Sequence, residues 1–184
     1  FFFKQKTAYE IPKRDWSSDV CSSDLANNTL LRGYNAVRGD TGTGPTITAS
    51  GISSVNMITG GAISRVVNVI ADGASLSTMT AFTGGATDLW DSCTAKNATM
   101  GFSNGIAYKC GADTCTTGFS GHRSATHNAA KNCTTGFNNG NYDRCIATGC
   151  TTGFTSNGGS AWTYCAAYNS TNGFVFSSGF GALA

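Results

Sequence analysis

The sequence predicts an all-β fold, a parallel β-solenoid with rungs of about 17–20 residues, and three observations carry that expectation. Gly-Phe recurs at 101, 118, 136, 153 and 173, so successive copies are 17, 18, 17 and 20 residues apart. The ten residues ending in each pair are CTAKNATMGF, CGADTCTTGF, NAAKNCTTGF, CIATGCTTGF and CAAYNSTNGF, and they align without gaps. Column one holds Cys93, Cys110, Asn128, Cys145 and Cys165; column three is alanine throughout; column six holds Ala98, Cys115, Cys133, Cys150 and Ser170; column seven is threonine throughout. Fixed columns of small residues, with length varying only between motifs, describe stacked rungs about 4.8 Å apart that set like upon like. Composition agrees: the chain is rich in Gly, Ser, Thr, Asn and Ala and poor in helix formers, which disfavours a helical bundle.

Taken in chain order, residues 1–25 stand apart. Read back into codons, Lys4 to Ile11 and Asp15 to Leu25 resemble the two constant arms of a short-read sequencing adapter, with Pro12, Lys13 and Arg14 on the variable index between them. This segment is therefore set aside as non-native and expected to be irregular. The remaining 159 residues hold all 24 glycines, Pro45 as their one proline, and seven cysteines. They keep the net charge of +2, too mild to suggest a nucleic-acid partner, and no apolar run is long enough for a membrane span.

Residues 26–184 are expected to form one domain. Residues 26–66 make the lead-in and early rungs, with one β-like run from Thr46 to Ala49. Residues 67–92 form a degenerate rung, in which VNVIADGAS (67–75) lies over SCTAKNAT (92–99), and residues 93–184 carry the regular repeats. Alternation along a strand turns columns one and three inward on one face and columns six, eight and ten inward on another. The change of parity at columns four and five marks a bend, the phenylalanines stack inside, and the glycine before each serves a tight corner. The C-terminal stretch, GFVFSSGFGALA, carries no polar cap, so a fragment open at both ends that self-associates through its ends or faces is expected.

The seven native cysteines fall only in columns one and six, where small inward hydrophobes belong, so a buried ladder is expected, with some disulfides as the alternative ahead of a metal site, and no cofactor is expected. Arg38-Gly39-Asp40 spells an integrin-type tripeptide in a turn-rich stretch; Asn27 begins an isolated sequon; Asn97, Asn132 and Asn169 begin sequons but read as an asparagine ladder at the bend. His122 and His127 read as surface residues.

These repeats resemble the right-handed parallel β-helix family, the pectin-lyase-like fold of polysaccharide lyases and phage tailspikes. A left-handed helix would require a six-residue apolar beat that is missing. The resemblance implies an extracellular or virion setting and a structural, receptor-binding or carbohydrate-binding role. It also implies the alternative of a lyase or glycoside hydrolase whose active rungs are missing. The clustered Asp residues, Gly-His-Gly and Arg-x-Lys of the hydrolases are not in this sequence. Asp91 and Asp143 share a column three rungs apart, about 14 Å, whereas paired glycosidase carboxylates lie about 5–9.5 Å apart. No catalytic residue is therefore assigned. The candidate binding site is an outward stripe of Lys109, His127, Arg144 and Tyr164, immediately before column one, beside Trp90, Tyr142 and Trp162, three residues before it. Cations beside aromatic rings would suit an acidic polysaccharide.

Overall fold

The structure, a computed structural model, describes residues 23–24, 30–34, 44–49, 56–61, 64–76 and 78–177. The expectations for most of residues 1–25, for Asn27 and for Arg38-Gly39-Asp40 lie outside these residues. Among the described residues every regular element is a strand, and every strand pair is parallel. The chain is a β-solenoid with three faces. The phenylalanine face contains Asn56–Thr59, Thr80–Thr83, Met100–Ser103, the first part of Thr117–Thr126, the first part of Thr135–Asp143, Thr152–Ser156 and Asn172–Phe176. The mixed face contains Leu30–Arg32, Arg65–Val67, Leu89–Asp91, Ile106–Tyr108, the ends of the two long strands and Trp162–Thr163. The alanine face runs from Thr46–Thr48 through Ile70–Asp72, Thr94–Lys96, Gly111–Asp113, Ala129–Lys131 and Ile146–Thr148 to Ala166–Tyr168, a seven-stranded sheet of its own. The expected early register holds: Ile70, Ala71 and Asp72 pair with Thr94, Ala95 and Lys96. Ser23–Asp24, inside the segment set aside, pairs with Ile58 and Thr59, as an open strand edge permits.

The core is a set of stacked columns. Phe82, Phe102, Phe119, Phe137, Phe154 and Phe174 lie face to face, with centroids 4.6–4.9 Å apart and planes within 4–10°. This near-parallel stacking shows how little the sheet above it twists, a condition that side-chain ladders stabilise. Phe82 joins the stack without a preceding glycine, since Ala81 takes that place. Opposite it runs the alanine column, Ala71, Ala95, Ala112, Ala130 and Ala147, all sealed from solvent.

Two expectations about this core are corrected. The glycines of the Gly-Phe pairs do not turn a corner; they face inward beside the phenylalanines, and column eight (Met100, Thr117, Thr135, Thr152) is half-exposed instead. Their smallness is what the site requires. A Cβ at Gly101, Gly118, Gly136 or Gly153 would come within 2.6–2.7 Å of the next rung's glycine carbonyl oxygen and within 2.8–3.5 Å of the alanine methyl groups opposite.

The corners are made by left-handed residues. Asn97, Thr114, Asn132, Gly149 and Asn169, column five, have φ of 48–65° at the predicted bend. Asparagine tolerates this conformation better than most residues. The asparagine ladder expected here does not form, because Thr114 and Gly149 stand on the rungs between Asn97, Asn132 and Asn169; instead Asn97 Nδ2 donates to Asp72 Oδ1 on the preceding rung at 3.0 Å, and Asn132 Nδ2 to Asp113 Oδ1 at 3.3 Å. A second left-handed corner, without comparable sequence signal, occurs at Asn68, Ser92, Lys109, His127, Arg144 and Tyr164, with φ of 50–57°.

Candidate functional site

This second corner decides the fate of the expected stripe. A left-handed residue interrupts the pleat, so the residues on either side of the corner no longer alternate as one strand. Cys93 points inward; Ser92 turns; Trp90, three residues back, points inward as well. Trp90 is 0% exposed and Tyr142 1%, and Trp162 packs against the core, so the expectation that these three rings face outward is overturned. Trp90 Nε1 donates to the Asn104 carbonyl at 3.2 Å, and its ring lies 5.7 Å from Phe82. The Tyr142 hydroxyl sits 3.0 Å from the Asn138 carbonyl, its ring edge-on to Phe137 at 4.9 Å, and burial drives its pKa far upward.

The other four stripe residues do face solvent. Lys109, His127, Arg144 and Tyr164 stand on consecutive rungs, linked by the hydrogen bonds Lys109 N to Thr126 O, His127 N to Asp143 O and Arg144 N to Thr163 O. Exposed rings also stand here, though not those expected. Lys109 Nζ lies 4.9 Å over the Tyr108 ring, His127 meets that ring edge-on at 6.0 Å, and the Arg144 guanidinium lies 5.4 Å over Tyr164, which is 78% exposed. Arg144 also pairs with Asp143 at 2.6 Å. Sequence reasoning missed Tyr108 because it sits two residues before column one, a position that strict alternation turns inward.

Charge is distributed unevenly over the faces. Residues 99–103, 116–120, 134–138, 151–155 and 171–175, which form the phenylalanine face of the regular rungs, contain no charged residue. The alanine face instead stacks Asp72, Lys96, Asp113 and Lys131 in register. Opposite charges alternate along that column, which leaves the basic corner as the place where cations and rings meet.

His122, read as a surface residue, is buried at 2% exposure inside Thr117–Thr126. Its ring lies 5.8 Å from Phe119 and 6.4 Å from Tyr142. Its Nδ1 lies 3.2 Å from the Gly105 carbonyl; a carbonyl only accepts, so Nδ1 carries the hydrogen. Burial disfavours the charged ring and lowers its pKa to about 4. The unfolded chain, with an ordinary histidine pKa of about 6.5, takes up a proton between that pH and 4 while the folded chain does not. Stability present above pH ~6.5 is therefore lost as pH falls, by about 3 kcal/mol at pH 4. Urea midpoints measured between pH 7 and pH 4 should drop accordingly, and the His122→Phe variant should flatten that drop. An unchanged profile in the variant would remove His122 as its source.

The cysteines occupy the inner columns as expected, and all seven described cysteines are free thiols. Asn128 replaces cysteine in column one and is fully enclosed: its Oδ1 accepts from Cys110 N at 2.7 Å, and its Nδ2 donates to the Ala107 carbonyl at 3.1 Å. The Ala107 carbonyl is the register equivalent of those that column-one thiols reach elsewhere, Cys110 Sγ to Trp90 O at 3.3 Å and Cys145 Sγ to Ala125 O at 3.4 Å, so the amide takes over the thiol's contact and adds the bond to Cys110 N. Among the described residues no three His, Cys, Asp or Glu side chains converge as a metal site would require. Asp91 and Asp143 lie in one column with Tyr108 and Thr126 between them, three rungs apart. Asp88 is buried, accepting from Ser64 N at 2.7 Å and Gly85 N at 2.6 Å, and thus anchors two backbone segments.

Fold and surface together define a parallel β-solenoid with a basic, tyrosine-bearing corner. The chain matches no protein-family model, no curated protein and no solved structure.

Proposed function

We propose that this chain is a binding segment of a β-helix protein of the pectin-lyase-like or tailspike-like kind, right-handed and extracellular or virion-borne, and that it holds an acidic polysaccharide along the corner of Lys109, His127, Arg144 and Tyr164. The observation that carries the reading is the repeated ring-and-cation contact at one corner, Lys109 over Tyr108 and Arg144 over Tyr164. Cations held over tyrosine faces keep their charge toward solvent, and rungs about 4.8 Å apart set them in a row. A flexible polyanion would follow such a row with its carboxylates on the cations and sugar faces against the rings.

Affinity electrophoresis in gels containing polygalacturonate or alginate tests this. The chain should be retarded, and less so at higher salt, because exposed charges are screened. Replacing Lys109 and Arg144 together by alanine removes two exposed cations and should weaken binding about tenfold, a change of about 1.4 kcal/mol. Lys96→Ala, on the alanine face, should leave it unchanged. Equal retardation of all three proteins would remove the corner from consideration. Turnover of either polymer would instead favour the second reading, part of a lyase or glycoside hydrolase.

A further inference from the structure

The outer side of the phenylalanine face takes no part in the basic corner, which lies between the other two faces. On this face the Gly-Phe pair of each regular rung points inward, so the residues flanking the pair point out. One outward rank runs from Thr80 through Met100, Thr117 and Thr135 to Thr152, each paired in register with the next. The second rank, from Thr83 to Thr155 on the same rungs, holds only serine, threonine and asparagine. Column seven adds a further threonine beside the first rank on every rung from Thr99 onward, exposed at Thr116, Thr134 and Thr151. Four intervals of about 4.8 Å make these ranks about 19 Å long.

The face is uncharged from Thr80–Thr83 through Thr152–Ser156. It is flat, since the five rings beneath it, Phe82 to Phe154, stack within 4–8° of parallel, and a sheet of this many strands ordinarily twists. Among the described residues the hydroxyls of Thr117, Thr135, Thr152 and Thr155 enter no hydrogen bond within the chain, so their bonding capacity is directed to water. Threonine is also stiff at χ1, so holding its hydroxyl and methyl in a fixed array costs little entropy.

A flat, neutral array of hydroxyls and methyls at constant spacing complements a surface that is itself flat, neutral, periodic and made of hydrogen-bonding groups. The rung repeat of about 4.8 Å is close to the repeat of water oxygens along the a axis of hexagonal ice. We propose that the phenylalanine face binds ice, its threonine ranks joining the crystal through water ordered over the methyls and held by the hydroxyls. The missing charges fit this occupant, because a charged side chain keeps a hydration shell that does not match the lattice. A crystalline polysaccharide is flat and periodic as well, but aromatic rings are the side chains suited to lie against sugar faces, and here Phe82, Phe102, Phe119, Phe137 and Phe154 are all sealed inside.

Nanolitre osmometry of the full chain tests the proposal. The native chain should open a gap between melting and freezing, give faceted crystals within it, and be taken up by a slowly growing ice hemisphere that excludes serum albumin. Thr135→Tyr sets a ring in the middle of the flat face and should abolish the gap, as should Thr117→Tyr on the neighbouring rung. Thr94→Tyr makes the same change outward on the alanine face and should leave the gap at its native size. Circular dichroism of the three variants establishes that the solenoid is intact. A native chain with no gap, or equal gaps in Thr135→Tyr and Thr94→Tyr, would overturn the assignment independently of any folding defect in one variant. Retention on microcrystalline cellulose or chitin without a freezing gap would overturn it in favour of an insoluble polysaccharide. A dimer in light scattering that Thr135→Tyr disperses, again without a gap, would overturn it in favour of a second copy of the chain.

Discussion

Phe137→Ala should lower the unfolding free energy by about 3–5 kcal/mol. Phe137 lies between Phe119 at 4.9 Å and Phe154 at 4.7 Å, with Tyr142 edge-on at 4.9 Å. Truncation removes all three ring contacts at once. The rungs above and below are hydrogen-bonded at fixed spacing, so the space does not close. Phe174 occupies the same column but is 44% exposed, with Phe154 on one side and Trp162 and solvent around it. Phe174→Ala should therefore cost only about 1–2 kcal/mol. Urea unfolding of the two variants, followed by circular dichroism, measures the difference. Equal losses would show that stability does not reside in the central stack.

Gly136→Ala should cost about 3 kcal/mol although it adds a single methyl group. That methyl would stand 2.7 Å from the Gly153 carbonyl oxygen, 3.1 Å from Ala147 Cβ and 3.3 Å from Ala130 Cβ. The nearest of these is backbone in a paired strand and cannot move without breaking the rung. Gly111, in outward column two, meets only Thr94 side-chain atoms at 3.8–4.0 Å, so Gly111→Ala should lie within about 0.5 kcal/mol of the native chain. Thermal melts of both variants separate a steric requirement from a general effect of losing glycine. If the two matched, close approach would not explain the glycine column.

These two columns also show what kind of information a repeat carries. The phenylalanine stack was legible because identical residues recur at rung spacing, and the solenoid places like on like. The recurrence of glycine was equally plain, but its reason was not. A turn and a close contact both call for glycine, and only the approach of the Gly153 carbonyl and the alanine methyls distinguishes them. The cysteines were legible as inward ladder residues.

The candidate site was half-legible for a related reason. Lys109, His127, Arg144 and Tyr164 were placed outward correctly, since each immediately precedes an inward column. Trp90 and Tyr142 were misplaced because alternation was carried through a corner where the backbone is left-handed. At the first corner Asn97, Asn132 and Asn169 advertise that conformation. At the second, lysine, histidine, arginine and tyrosine occupy it without any such preference, held there by the strands on both sides.

The sequence by itself determined the parallel stacking, the rung period, the column register from Ile70 onward and the inward cysteine and phenylalanine columns. All of these follow from repetition along the chain, which needs no knowledge of distant contacts. Tertiary structure alone decided which side of each corner a ring points to, why the glycines must be glycine, and that His122 lies inside. Those outcomes depend on the left-handed turns and on how much room the neighbouring rung leaves, and neither is recorded in the local spacing of residues.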